Sequence, residues 1–182
     1  AVGNVTLTAA CVNMARINAG CPVEIVLVDN GSKPEHAWQL ASLPVEVYLH
    51  YDKLIGYPAA CNRGAAVGRG TYLCLLNNDA EPQTVGWARR LVTTLEAHGG
   101  GLVAPVTDMV ANPEQQARCA TDRAPFAAKT LFFVCVLLRR SLWEAVGPLD
   151  EQFGLGNCED KDYCLRVREL GLPLTVDPGV FV

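Results

Sequence analysis

Apolar runs of strand length alternate with helical stripes along this chain. "VEIVLVDN" (23–30), "VEVYLHY" (45–51), "TYLCLLNND" (71–79), "GGGLVAPV" (99–106) and "TLFFVCVLLRR" (130–140) read as strands, and "LPLTVDPGVFV" (172–182) supplies one or two more. Between them the pattern predicts a helix from Asn4 or Thr6 to about Asn18, one over 34–42, and one from about Pro58 to Val67. Further helices are predicted over 84–98, over "SLWEAVG" (141–147) capped by Ser141, and over "EDKDYCLRVRELG" (159–171). Trp87, Leu91, Val92 and Leu95 share one face of the 84–98 helix. Strands alternating with helices predict an α/β fold, a three-layer α/β/α sandwich around a mostly parallel but mixed sheet. Residues 149–158 read as an irregular loop, and 107–127 lack clear periodicity. A loop as long as the second in a compact domain is usually functional or mobile. Trp87 and Trp143 read as core. Trp38 reads as a packing residue, and His36, His50 and His98 read as surface or packing residues.

Composition narrows the partners. The 182 residues suit a single domain over 1–182, and 50% apolar with 19% charged residues is a globular composition. A net charge of −4 argues against a nucleic-acid partner, which would bring a basic excess. It leaves room for a small phosphorylated ligand. The eight cysteines include no C-x-x-C pair, so they read as free thiols of a reducing compartment, with a cytoplasmic location expected. Zinc is disfavoured by the same spacing. No apolar run approaches the ~20 residues of a membrane span, so association with a membrane face is not encoded here.

Chemistry concentrates where strands end. "VLVDNGS" and "LLNNDAE" both finish in carboxylates and amides. If the strands are parallel, both clusters lie on one edge of the sheet, where ligands of α/β proteins gather. Asn77, Asp79 and Glu81 offer oxygen ligands for a hard divalent cation, or a solvated turn with Asx capping. Asp29 can accept from a base or ribose, or form an Asx turn with Asn30-Gly31. In "CEDKDYCLR", Glu159, Asp160 and Asp162 sit where a helix begins. They either favour its free N–H groups or turn one acid into a cleft as a general base. Arg166, four residues after Asp162, is placed to pair with it. Arg63 is a phosphate or base contact, or a surface arginine. The glycines at 56, 64, 68 and 70 match no phosphate-loop pattern.

"EIVLVDNGS", "NRGAAVGRGTYLCLLNNDAEP" and "VLLRRSLWEAVGPLDEQFGLGNCEDKDYCLRVRELGLPLTVDPGVFV", in that order, resemble the family 2 inverting nucleotide-sugar glycosyltransferases. The resemblance runs from about Asn4 to the end. It implies the GT-A fold, which is Rossmann-like, and a donor such as a UDP-, dTDP- or GDP-sugar. It also implies a glycan or other hydroxyl acceptor and a polysaccharide-building role. By the same resemblance Asp29 and Asn30 hold the nucleoside, and Asn62, Arg63, Asn77 and Asn78 lie near the nucleotide. Asp79 matches the acid that binds Mn2+ or Mg2+, with an amide, Asn77, where the family's first acid stands. Asp160 matches the catalytic base, Glu159 flanks it, and Phe153, Leu155 and Gly156 shape the acceptor region. Relatives open with a further strand that grips the base, and "GVFV" is commonly followed by a histidine. This domain is therefore expected to lack that first strand and a C-terminal continuation. A sugar nucleotidyltransferase, or a degenerate domain that binds glycan or nucleotide without turnover, are the alternatives. The first would want a glycine-rich basic loop near the amino end.

Overall fold

The computed structural model describes residues 1–108, 110–116 and 124–182. The strands are β1 (Val26–Asn30), β2 (Val47–Tyr51), β3 (Tyr72–Leu76), β4 (Leu102–Val106), β5 (Phe126–Ala127), β6 (Cys135–Arg139) and β7 (Leu174–Phe181). The helices are α1 (Val5–Ile17), α2 (Pro34–Ala41), α3 (Tyr57–Val67), α4 (Trp87–Ala97), α5 (Arg140–Val146) and α6 (Glu159–Glu169). Met109 and residues 117–123, part of the aperiodic segment, lie outside the described residues, and so does Cys119.

Side-chain alternation along the strands separates two apolar cores. Leu73 and Leu75 of β3, Val136 and Leu138 of β6, and Leu102 and Ala104 of β4 pack against α3, α5 and α6 through Ala65, Trp143, Tyr163 and Val167. Their sequence neighbours Tyr72, Cys74, Leu76, Cys135, Leu137 and Val103 point the other way, onto Trp87, Leu91 and Leu95 of α4 and Ala15 of α1. Helices on both faces of one sheet make the three-layer α/β/α sandwich.

The sheet is mixed and stands in two pieces. β1 and β2 form a parallel pair, and the larger piece runs β3-β6-β4-β7-β5. Within it β4 and β7 are parallel, whereas β6 runs antiparallel to both β3 and β4, and β5 antiparallel to β7, so this piece is mixed but not mostly parallel as the pattern predicted. Ala1 pairs with β1: its amino group donates to the Val28 carbonyl (2.7 Å), and its own carbonyl accepts from the Asn30 N–H (2.8 Å).

Four local expectations need correction. The run 130–140 is strand only from Cys135. Before it, the buried Gln115 side chain accepts from the Phe132 N–H (2.7 Å) and donates to the Phe132 carbonyl (3.2 Å). The Thr130 carbonyl meanwhile accepts from Asn112. Side chains thus satisfy the backbone groups that a neighbouring strand would otherwise take. Ser141 does not cap α5, which begins one residue earlier with Arg139 at the cap position and no side-chain cap. The 84–98 helix begins only at Trp87, because Gly86 holds φ of 80°. Trp38 is not packed but 66% exposed, whereas Trp87 and Trp143 are core. Among the described cysteines all are free thiols.

Candidate active site

The turn after β3 is held from two sides. The Asn77 N–H donates to the Val134 carbonyl (2.9 Å), and the Asn78 amide donates to the Thr8 hydroxyl (2.9 Å) of α1. This commits Asn78 to α1 and leaves the next residue, Asp79, exposed. Among the described residues neither the Asn77 amide nor the Asp79 carboxylate is bound to another side chain or to the backbone.

Residues 154–158 bring the other half of the site into place. Gly56, at φ 90°, abuts Gly154 so closely that a Cβ there would lie 2.0 Å from the Gly154 carbonyl oxygen. The Tyr57 N–H, opening α3, donates to the Leu155 carbonyl (3.3 Å). Two consecutive non-glycine residues, Asn157 (φ 87°) and Cys158 (φ 73°), then adopt the left-handed backbone and turn the chain into α6. Such conformations persist only where surrounding structure imposes them, and they cluster at functional sites.

A cavity of about 310 Å³ opens there. Asn77, Glu159, Asp160, Asn157, Cys158 and Lys161 supply its polar lining, and Tyr57, Phe132, Phe133 and Val134 the rest. The Tyr57 hydroxyl donates to the Phe133 carbonyl (2.9 Å) and so fastens α3 to that wall. Glu159 and Asp160 are each only 8% exposed. Burial pushes both carboxyls above their ordinary pKa values. Asp160 Oδ1 accepts from the Lys161 N–H (2.7 Å), and Glu159 Oε2 is buried with no partner among the described residues. Asp162 instead pairs with Arg166 at 2.9 Å, as their spacing predicts. The cavity therefore presents two carboxyls of raised proton affinity opposite an apolar wall, a setting for general-base chemistry on a hydroxyl.

The remaining expected residues divide. Asp29 has no exposed surface. Its carboxylate accepts from the Ser32 N–H (3.0 Å), the Tyr48 hydroxyl (2.8 Å) and His50 Nδ1 (2.9 Å). Burial raises its pKa, but these hydrogen bonds outweigh that and hold the carboxyl below its ordinary value. The Asn30 side chain accepts from the Ile55 N–H (2.8 Å). Asn62 and Arg63 do not meet the cavity. Asn62 is buried against both backbone groups of Leu149 and reaches Glu151, and Arg63 pairs with Glu151 at 2.9 Å. Together they latch α3 to the 149–151 turn. Gly156 lies against the Glu159 carboxylate, Leu155 is 70% exposed, and Phe153 is not part of the cavity wall.

Sequence reasoning missed Tyr57, Phe132, Phe133, Val134, Asn157, Cys158 and Lys161. The two phenylalanines and Val134 carried a strand signal, and nothing local marked the left-handed pair before α6. His50, read as surface or packing, is bonded to the buried Asp29.

A divalent cation fits the chemistry of the β3 turn. Asp79 is an exposed, uncommitted carboxylate, and a single carboxylate with waters and substrate phosphates is a common Mg2+ arrangement. Among the described residues no three His, Cys, Asp or Glu side chains group to hold a metal by themselves, so phosphate oxygens would complete the shell.

Residues 6–139 match the family model described as glycosyl transferase family 2, and the chain belongs to that family. Its fold is the GT-A α/β type. It is 26% identical over 176 residues to the O-antigen biosynthesis protein RfbC of Myxococcus xanthus, an alignment covering 82% of this chain and 14% of that protein. The chain thus spans about a seventh of that relative's length. Among solved structures it superposes on S. aureus TarS 1–349 with a TM-score of 0.74 at 13% identity, over 100% of this chain and 58% of that one. It superposes on GalNAc-T7, crystallised with UDP, GalNAc and Mn2+, with a TM-score of 0.69 at 17% identity, over 87% and 36%. Among the described residues no helix is long and apolar enough to cross a membrane.

Proposed function

We propose that this domain transfers a sugar from a nucleotide-sugar donor to an acceptor hydroxyl with inversion, in the building of a polysaccharide. The observation that carries the reading is the shared cavity. It joins Asn77, at the end of β3, to Glu159 and Asp160, at the start of α6. Family membership and the O-antigen relative support the class of reaction. Asp160 is the general base: its Oδ2 is uncommitted among the described residues, and its raised pKa strengthens it as a proton acceptor. It takes the proton of the attacking hydroxyl as that oxygen displaces the nucleoside diphosphate from the anomeric carbon. One in-line displacement inverts the configuration, and no enzyme nucleophile is needed. Asp79, with Asn77 beside it, is the residue to hold Mn2+ or Mg2+. When bound, the ion supplies positive charge to the departing diphosphate. The Asp29–His50 pair stands at the carboxyl ends of β1 and β2, where ligands of α/β proteins gather, and supports assigning the nucleoside to that end of the site.

The test is a transfer and donor-hydrolysis assay over UDP-, dTDP- and GDP-sugars, with and without Mn2+ or Mg2+. Turnover of one donor is expected to fall about 100-fold or more in Asp160→Asn, with donor binding retained. It should also lose its metal dependence in Asp79→Ala. No turnover and no thermal shift with any donor would overturn the reading in favour of a degenerate domain. The anomeric configuration of the product tests inversion.

A further inference from the structure

We infer that Glu159 binds a second hydroxyl on the acceptor's sugar ring, beside the hydroxyl that Asp160 deprotonates, and that the acceptor end is a neutral pyranoside. The inference rests on the transferase reading and adds the acceptor class and a specificity-determining residue.

Three observations carry it. First, Glu159 Oε2 is a buried acceptor with no donor among the described residues, on a residue only 8% exposed. An unsatisfied buried oxygen is costly, and such groups in native folds call for an explanation. A hydroxyl arriving in the cavity supplies the missing donor. Second, Asp160 has a different set of partners: its Oδ1 is already bound to the Lys161 N–H. Adjacent carboxyls so differently committed are suited to different tasks, one to remove a proton and one to recognise a neighbour.

Third, the size and lining of the cavity suit a sugar ring. Its volume of about 310 Å³ accommodates one pyranose. Phe133 and Val134 offer an apolar surface for the C–H face, and the two carboxyls offer acceptors for the hydroxyl edge. Two carboxylates repel an anionic sugar, and the nearby Lys161 ammonium is turned over the Phe132 ring, 5.9 Å from its centroid. That favours a neutral acceptor end.

The test uses nitrophenyl pyranosides of neutral hexoses and their monodeoxy derivatives as acceptors, with wild type, Glu159→Ala and Glu159→Gln. In wild type, removing one hydroxyl other than the attacking one should lower kcat/KM at least about tenfold. In Glu159→Ala the same removal should cost less than about twofold, because the interaction is already gone. Equal losses in both enzymes, or no sensitive position in wild type, overturn the inference. If Glu159→Ala lacks a cooperative melting transition, Glu159→Gln carries the same cycle with a smaller coupling. Donor hydrolysis without transfer to any neutral pyranoside overturns this inference and leaves the transferase reading standing. Absence of both activities overturns the two together.

Discussion

His50 Nδ1 stands 2.9 Å from Asp29 Oδ2, and the two residues occupy matched positions of the parallel strands β2 and β1. Tyr48 and the Ser32 N–H complete the set around a carboxylate with no exposed surface. Of the three side chains, His50 is the exposed one.

Asp29→Ala is expected to cost about 3 kcal/mol, because it strands buried donors that had a charged acceptor. The Asp29 carboxyl is held below its ordinary value. Its stabilisation is therefore present above the unfolded-state pKa and lost as pH falls through the depressed folded value. Urea denaturation of both proteins should show the gap closing in acid. A gap independent of pH would rule out the charge as its source.

Asp160 works in the opposite sense. Its folded pKa is raised by burial. The relative stability of the protonated form is thus present below the ordinary carboxyl value and lost as pH rises through the raised one. Asp160→Asn should match wild type in melting temperature in acid and exceed it at neutral pH, while transfer is lost. Calorimetry along the pH axis checks the sign. Wild-type kcat/KM should rise with pH through the same raised value.

Gly56→Ala should abolish transfer and destabilise the domain by at least about 2 kcal/mol. The residue is at φ 90°, and a Cβ would fall 2.0 Å from the Gly154 carbonyl oxygen. Loss should appear in melting temperature as well as in acceptor KM, since the 154–158 segment that orients Glu159 leans on this contact. Gly147→Ala, also at positive φ (87°) but with nothing within 4 Å, should cost only its backbone strain.

Facing α4, Asp177 has no exposed surface and is bound by Arg90 (3.0 and 3.1 Å), Thr94 (2.6 Å) and the Gly179 N–H (2.9 Å). Arg90→Ala leaves that charge without its cation and should cost about 1–3 kcal/mol in urea, less than a fully buried pair because the arginine is half exposed. Arg90→Lys should recover only part of it, because an ammonium cannot make the forked contact.

The sequence by itself determined most of the helices and the main strands, though not the ends of 84–98 and 130–140 nor β5, together with the α/β class, the family and the two acids at the start of α6. Those properties reside in local periodicity and in contiguous motifs. Asp162 with Arg166 was legible for the same reason, being one helical turn apart. Only the tertiary structure decided the rest. Asn62 and Arg63 looked available for a nucleotide until the fold set Leu149 and Glu151 beside them. Phe132–Val134 carried every local mark of a strand, but Gln115 takes the Phe132 backbone groups and makes those residues the wall of a cavity. His50 gained its meaning from a carboxylate 21 residues away on the neighbouring strand. In each case a hydrogen-bonding group's partner is remote in the chain, and its identity is set by the packing of the folded whole.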